Sequence, residues 1–297
     1  MRISTANTAE NVLAQLQRLS QQQAQLQQQI STGQRVTKPG DDPAAMGRLV
    51  NAQAEQRTLA QYRSNADAAL EYSRTSYAGL DNIKTLSDRA SELAVLGAGA
   101  NGAQAMQAYA AEMNQLIEQA ATLGNTRFRN DYVFGGTAVD SPPFTFTRDP
   151  SGEISAAAYA GDTGRLRVPI AEGATIEPTP SAATNVGIAD FMNGLIQLRD
   201  ALAAGDGAAV QAVRPSLEAS EDLLVSSLSE HGAIQLRIEV GQAQQQARID
   251  EIERQISAEA DVDLPSTIVR LSQTTQAYEA ALSSAASLLR MSLLDSI

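Results

Sequence analysis

The sequence predicts a mainly α protein with a small β-rich insertion, built as a long antiparallel helix bundle with coiled-coil terminal helices. Three patterns carry that prediction. Apolar residues recur at alternating spacings of three and four at both chain ends. Helical spacing returns through most of the interior, and a single stretch near the middle switches to two-residue alternation between Gly and Pro.

From the N-terminus, Val12, Leu16, Leu19, Gln23, Leu26 and Ile30 define a seam with one polar position. A stripe this narrow suits one other helix. The stretch VTKPGDDPAAMGR, residues 36–48, then breaks the pattern. Pro39 and Gly40 are expected to end the first segment, Asp42 to cap the next helix through its carboxylate, and Pro43 to open that helix. Asp41 and Asp42 could instead be a paired acid and base or metal ligands. Nothing nearby has the spacing of a calcium loop, whereas an N-cap accounts for Asp before Pro without further residues. Pro39, Gly40, Asp41, Asp42 and Pro43 are therefore read as an inter-domain turn and helix cap, with Arg35 and Lys38 as nearby ion partners.

Helical spacing resumes with Met46, Leu49, Val50, Leu59, Leu70, Tyr77, Leu80, Ile83, Leu86 and Leu93. GAGANG at 97–102 is expected to break this helix, and an antiparallel partner to run over about 103–130. The texture then changes. Over 132–186, PPFTFTR alternates, DPSG has the residue types of a type I turn, and RLRVPIAEGATIEP reads as a second run of short strands. Helix is predicted again over 187–203 and 208–258, and DVDLP at 261–265 places acids and a proline where the last helix begins. There Leu264, Ile268, Leu271, Thr275, Tyr278, Leu282, Ala285 and Leu289 repeat the seam of the other end. The nesting predicts three parts: 1–40 with 260–297 as a terminal coiled coil, 41–131 with 187–259 as a long helix bundle, and 132–186 as an insertion projecting outward.

Charge separates the ends from the middle. The net charge is -12, yet residues 1–30 hold only Arg2, Glu10 and Arg18, and residues 264–297 only Arg270, Glu279, Arg290 and Asp295. The ends are near neutral, so the interior carries the acidity. An ordinary exposed helix uses Lys and Glu on its outer face; these use Gln, Ser, Thr and Ala, which can be buried against like copies without charge repulsion. Both seams are accordingly read as polymer seams, with a simple pair closing one domain as the alternative. In an isolated chain neither end buries enough apolar surface to offset its ordering entropy, so both are expected to order on assembly.

Composition also bounds the chemistry. A pI near 4.6 disfavours nucleic acid or anionic membrane as a partner and points to proteins. With no Cys and one His, thiolate nucleophiles and cysteine zinc sites are excluded, and His231, beside Gly232, reads as a turn or helix-end residue. Asp140, Asp149, Glu153, Asp162 and Glu172 could line a hydrolase or metal cleft in the insertion, but each also fits a turn or a solvated strand edge. Gly135 and Gly136 lack the strand and helix of a phosphate loop. No catalytic, metal or cofactor-binding residue is assigned, and no cofactor is implied. No stretch approaches the roughly 18 apolar residues of a membrane span, and the first residues lack the basic and then apolar regions of a cleavable signal.

The segments QQQISTGQRVTKPGDDPAAMGR, NTRFRNDYVFGGT followed by SPPF, YAGDTGRLRVPIAEGATI and the ending LLRMSLLDSI together resemble the flagellin superfamily, and within it the hook-filament junction family. The resemblance spans nearly the whole chain. It implies an extracellular structural protein without enzymatic activity, exported by the flagellar type III apparatus without a cleaved signal. Such a protein forms a ring of its own copies between hook-associated protein 1 and flagellin, and a cytoplasmic export chaperone binds it beforehand. A true flagellin, which makes the filament itself, is the alternative; DDPAA, YVFGGT and the residues after LLR fit it less well.

Overall fold

The structure, a computed structural model, describes the backbone of residues 2–99 and 102–294 and the side chains of residues 10–99 and 102–287. Along the chain run α1 (Arg2–Thr32), α2 (Pro43–Ala98), α3 (Ala103–Gly124), β1 (Arg127–Phe128), β2 (Asp131–Tyr132), β3 (Phe144–Arg148), β4 (Ile154–Tyr159), β5 (Val168–Ala171), β6 (Ala174–Ile176), α4 (Ala182–Ala203), α5 (Gly207–Ala260) and α6 (Leu264–Leu294). The fold is mainly α with a small β-rich insertion. Packing divides it into two units, Met1–Thr58 with Arg248–Ile297 and Leu59–Ala247. The division falls inside α2 and α5, not at 40/41 and 259/260, and the insertion forms no unit of its own.

In the first unit α1 and α6 lie antiparallel. Gly33 ends α1: its φ of +70° is the left-handed conformation that glycine adopts without a Cβ penalty, and its N–H bonds to Gln29 O at 2.9 Å. The first helix therefore stops ahead of Pro39 and Gly40, which form an exposed turn instead. Directly after Gly33 the two chain segments cross, with Gln34 bridging Asp261, Arg35 N–H donating to Ala260 O and Val262 N–H donating to Gly33 O. Val36, Ala45, Leu49 and Ala260 close a small core beside them.

The second unit holds the main core. Leu80, Ile83 and Leu93 of α2, Met113 and Ile117 of α3, and Ile188, Phe191, Met192 and Leu195 of α4 meet Leu217 and Leu224 of α5. Phe134, Phe144 and Ile154 from the insertion are fully buried in that same cluster. The insertion is thus keyed into the helices through these residues.

Its strands pair only within three antiparallel hairpins. The first turn, Arg129 and Asn130, has φ of 52° and 96° at its two central residues, the pattern of a tight type I′ hairpin turn. This hairpin takes over residues that sequence spacing assigned to the end of α3. The DPSG turn closes β3 and β4: Asp149 Oδ1 accepts from the N–H groups of Ser151 and Glu153, at 2.9 and 3.0 Å. Both outer edges of that hairpin are closed by asparagine. Asn125 donates to Phe144 O and accepts from its N–H, each at 3.1 Å, and Asn193 does the same to Ala157 at 2.8 and 3.0 Å. Each amide stands in for the missing neighbouring strand.

Candidate functional site

The candidate site is the paired terminal helices and the turn after α1. Along α1, Val12, Leu16, Leu19, Gln23, Leu26 and Ile30 are all half-buried among exposed neighbours. The face of α6 that meets them is Thr267, Leu271, Thr274, Tyr278, Ala281 and Ala285, again at alternating spacings of four and three. Thr267 is buried, at 4 % exposure, and the others half-buried. Thr275 is also half-buried, at the margin.

This track is rotated from the predicted one. Leu271, Thr275, Tyr278 and Ala285 lie on it or beside it, but Leu264, Ile268 and Leu282 are exposed by 42, 54 and 44 %. The side chain of Leu289 lies outside the described residues. The reason is volume. The Leu and Ile side chains of α1 need space, which Thr267, Thr274, Ala281 and Ala285 supply, so small residues turn inward and three large ones remain on the surface. The stretch of contact is sparsely charged, with Arg18 on α1 and Arg270 and Glu279 on α6 all exposed; Arg270 with Gln273 and Thr274 lines a shallow groove against Gln22, Gln25, Leu26 and Gln29.

The turn is built by its two carboxylates. Asp41 Oδ2 accepts from the N–H groups of Thr37 and Lys38, at 3.1 and 3.0 Å, and from the Thr37 hydroxyl. The two backbone bonds hold its carboxyl below the usual aspartate range. Asp42 is the N-cap of α2: its Oδ1 accepts from Ala45 N–H at 3.0 Å, with Pro43 as first helical residue. That bond, then Arg35, lowers its carboxyl too. Packing places this turn inside the first unit, not between two units.

Arg35 pairs with Asp42 at 3.4 Å and donates to Glu259 O at 2.8 Å, while Lys38 serves Asp41 through its backbone. Arg48 makes a bidentate pair with Glu259, at 2.8 and 2.9 Å. Sequence reasoning missed Glu259, since its partners are more than 200 residues away in the chain. The pair ties the end of α5 to the start of α2.

Elsewhere the acids of the insertion serve turns. Asp162 accepts from Thr137 N–H at 2.7 Å and Gly164 N–H at 3.1 Å, Asp149 closes the DPSG turn, and Glu153 lies 3.6 Å from Arg199. Asp140 and Glu172 occupy separate turns. Among the described residues no group of three or more His, Asp or Glu side chains could hold a metal ion. His231 is not at a helix end. It sits within α5, buried at 1 % exposure, with Nδ1 3.2 Å from Ser73 Oγ. Among the described residues no helix is long and apolar enough to cross a membrane.

Residues 3–138 match the bacterial flagellin N-terminal helical region. A flagellar hook-associated protein 3 from Salmonella typhimurium is 28 % identical over 146 residues, spanning 48 % of this chain and 46 % of that protein. The chain resembles flagellar hook-associated protein 3. The matched part is thus less than half the length of that curated relative. Two solved structures share the fold. A candidate flagellar hook-associated protein from Vibrio parahaemolyticus has a TM-score of 0.66 at 17 % identity, covering 74 % of this chain and 100 % of that one. Bacillus cereus FlgL has a TM-score of 0.59 at 18 % identity, covering 68 and 97 %.

Proposed function

We propose that this chain is a structural protein of the bacterial flagellum that assembles as a ring between the hook-associated region and the flagellin filament. The observation that carries the reading is the α1–α6 pair: a nearly uncharged two-helix unit that leaves Leu264, Ile268 and Leu282 exposed. Exposed aliphatic residues on a sparsely charged helix suit burial against further copies, because few charges have to be desolvated. Val12 to Ile30 on α1 form the inner seam of the pair. The exposed α6 residues, with Leu289, extend it to neighbouring subunits.

The same reading supplies the partners: copies of this chain, hook-associated protein 1 on one side and flagellin on the other, with an export chaperone beforehand. It also places the assembled protein outside the cell, exported by the flagellar type III apparatus. Deleting the gene tests it. Hooks without filaments, with monomeric flagellin in the medium, are the expected result by electron microscopy and immunoblot. Intact filaments would overturn the junction role, and bare hooks without released flagellin would point to flagellin itself or to an export defect.

A further inference from the structure

Within the second unit the β5–β6 hairpin is set apart from the main core. Its Ile170 and Ile176 are buried in a separate small cluster with Ala66, Ala69 and Leu70 of α2 and Ile238 of α5. Its other ties to the helices are polar: Asn65 donates to Pro169 O at 2.9 Å, Arg237 to Thr175 O at 3.3 Å, and Gln245 to Ile170 O. A segment with so few apolar contacts opens locally at less cost than the whole unit unfolds.

The two arms of this hairpin meet beside His231. On the entering arm Arg165 pairs with Glu230, the neighbour of His231, at 2.9 Å and with Glu177 at 3.1 Å. Its guanidinium also donates to Thr179 O on the leaving arm, at 3.2 Å. Ser76, three residues along α2 from Ser73, donates to Pro178 O at 3.5 Å. Thr179 and His231 are fully buried as a result, and Thr179 Oγ1 and His231 Nε2 have no hydrogen-bond partner.

A proton on His231 is badly placed in this arrangement. Burial opposes the charged ring most, Glu230 on α5 favours it, and Arg165 on the hairpin arm opposes it again. From α2 the ring meets only the hydroxyl of Ser73, and the next residue, Arg74, is paired with Glu239 at 2.9 Å. Lifting the hairpin arms would remove both the burial and the Arg165 charge. We propose that His231 is an acid-sensitive latch for the β5–β6 hairpin, which lifts from α2 and α5 when the ring takes up a proton and uncovers Ile170, Ile176 and Ile238. The latch is independent of the assembly reading above. The opened state takes the proton at the ordinary histidine value of 6.5 and the closed state only at about 4. Closure is therefore fully favoured above pH 6.5 and weakens about tenfold per pH unit below it.

Amide hydrogen exchange on the full chain, corrected at each pH for the intrinsic rate, tests it. Between pH 7.5 and 5.5, protection across β5 and β6 should fall about tenfold. The β3–β4 hairpin, whose Phe144 and Ile154 belong to the main core, should keep its protection. Constant β5–β6 protection would overturn the inference, and so would an equal loss in β3–β4, which would mean that the whole unit opens. In His231→Gln the loss should vanish; a loss of the same size there would also overturn it. A second measurement needs no variant. His231 is the only histidine of the chain, so its ring signals in proton magnetic resonance are unambiguous. They should hold their neutral position over the same range. An ordinary titration centred near pH 6.5 with the hairpin still protected would overturn the latch.

Discussion

His231 makes the stability of the second unit depend on pH in a range where little else titrates. Its ring is buried with one nitrogen on Ser73 Oγ and the other, Nε2, without a hydrogen-bond partner. Burial pushes its pKa down from 6.5 to about 4, nearby Glu230 opposes that shift and Arg165 adds to it. Between those two values the unfolded chain binds a proton that the folded chain refuses, so stability is full above pH 6.5 and is lost as pH falls. The loss is roughly 1 kcal/mol at pH 5.5 and about 3 kcal/mol near pH 4. Carboxylates such as Asp41, Asp162 and Glu118 are held below their ordinary values of 3.8 and 4.5 and weaken the fold only further down, as pH drops through their own lowered range. Urea unfolding at pH 5.0 to 6.5 therefore isolates the histidine. His231→Gln keeps a group able to bond Ser73 and cannot titrate, so its unfolding free energy should stay nearly flat where the native chain declines. An equal decline in both would refute the burial argument.

Asn193→Ala should cost about 1 to 3 kcal/mol, because it strips both backbone partners from Ala157, a strand residue with only 6 % exposure. Amide exchange at Ala157 should accelerate with the loss. Two changes in the terminal pair should separate stability from assembly. Leu26→Ala removes part of the α1 seam and should lower monomer stability by about 1 to 2 kcal/mol in urea titration. Leu282→Ala, on the exposed face of α6, should leave the monomer within about 0.5 kcal/mol while reducing self-assembly by sedimentation. Unchanged assembly in Leu282→Ala would remove this residue from the polymer contact.

Much of the fold was legible because its signals are local. Asp42 before Pro43 announces the start of α2, the period of three and four marks the seam of α1, and DPSG and the β5–β6 sequence mark their hairpins. What sequence spacing could not show depends on partners distant in the chain. Gly232 beside His231 suggests a helix end, yet helix continues through both and Ser73, from another helix, decides the burial. α3 stops at Gly124 because the next residues pair as a hairpin, a competition that helical propensity alone does not settle. On α6 the largest apolar residues define the more obvious stripe, but the volumes of Leu16, Leu26 and Ile30 select the smaller residues to face them. The asparagine amides at both edges of β3–β4 had no signal in the sequence, since the strand residues they bond, Phe144 and Ala157, lie 19 and 36 residues away in the chain.

These misses share a physical origin that bears on assembly. Within one chain, packing places Thr and Ala inward on α6 and uses Arg74, Arg89, Arg148 and Arg165 in ion pairs with facing acids. The cations are thereby spent inside each copy, and the excess carboxylates remain on its surface. Copies so charged repel one another at any generic orientation, with a range of about 8 Å at physiological salt. Exposed uncharged residues left over from internal packing, Leu264, Ile268 and Leu282 on α6 among them, are where a contact proposed between copies would cost least. Repulsion over the rest of the surface does not strengthen those contacts; it removes the competing ones, and so restricts the geometry in which copies can meet.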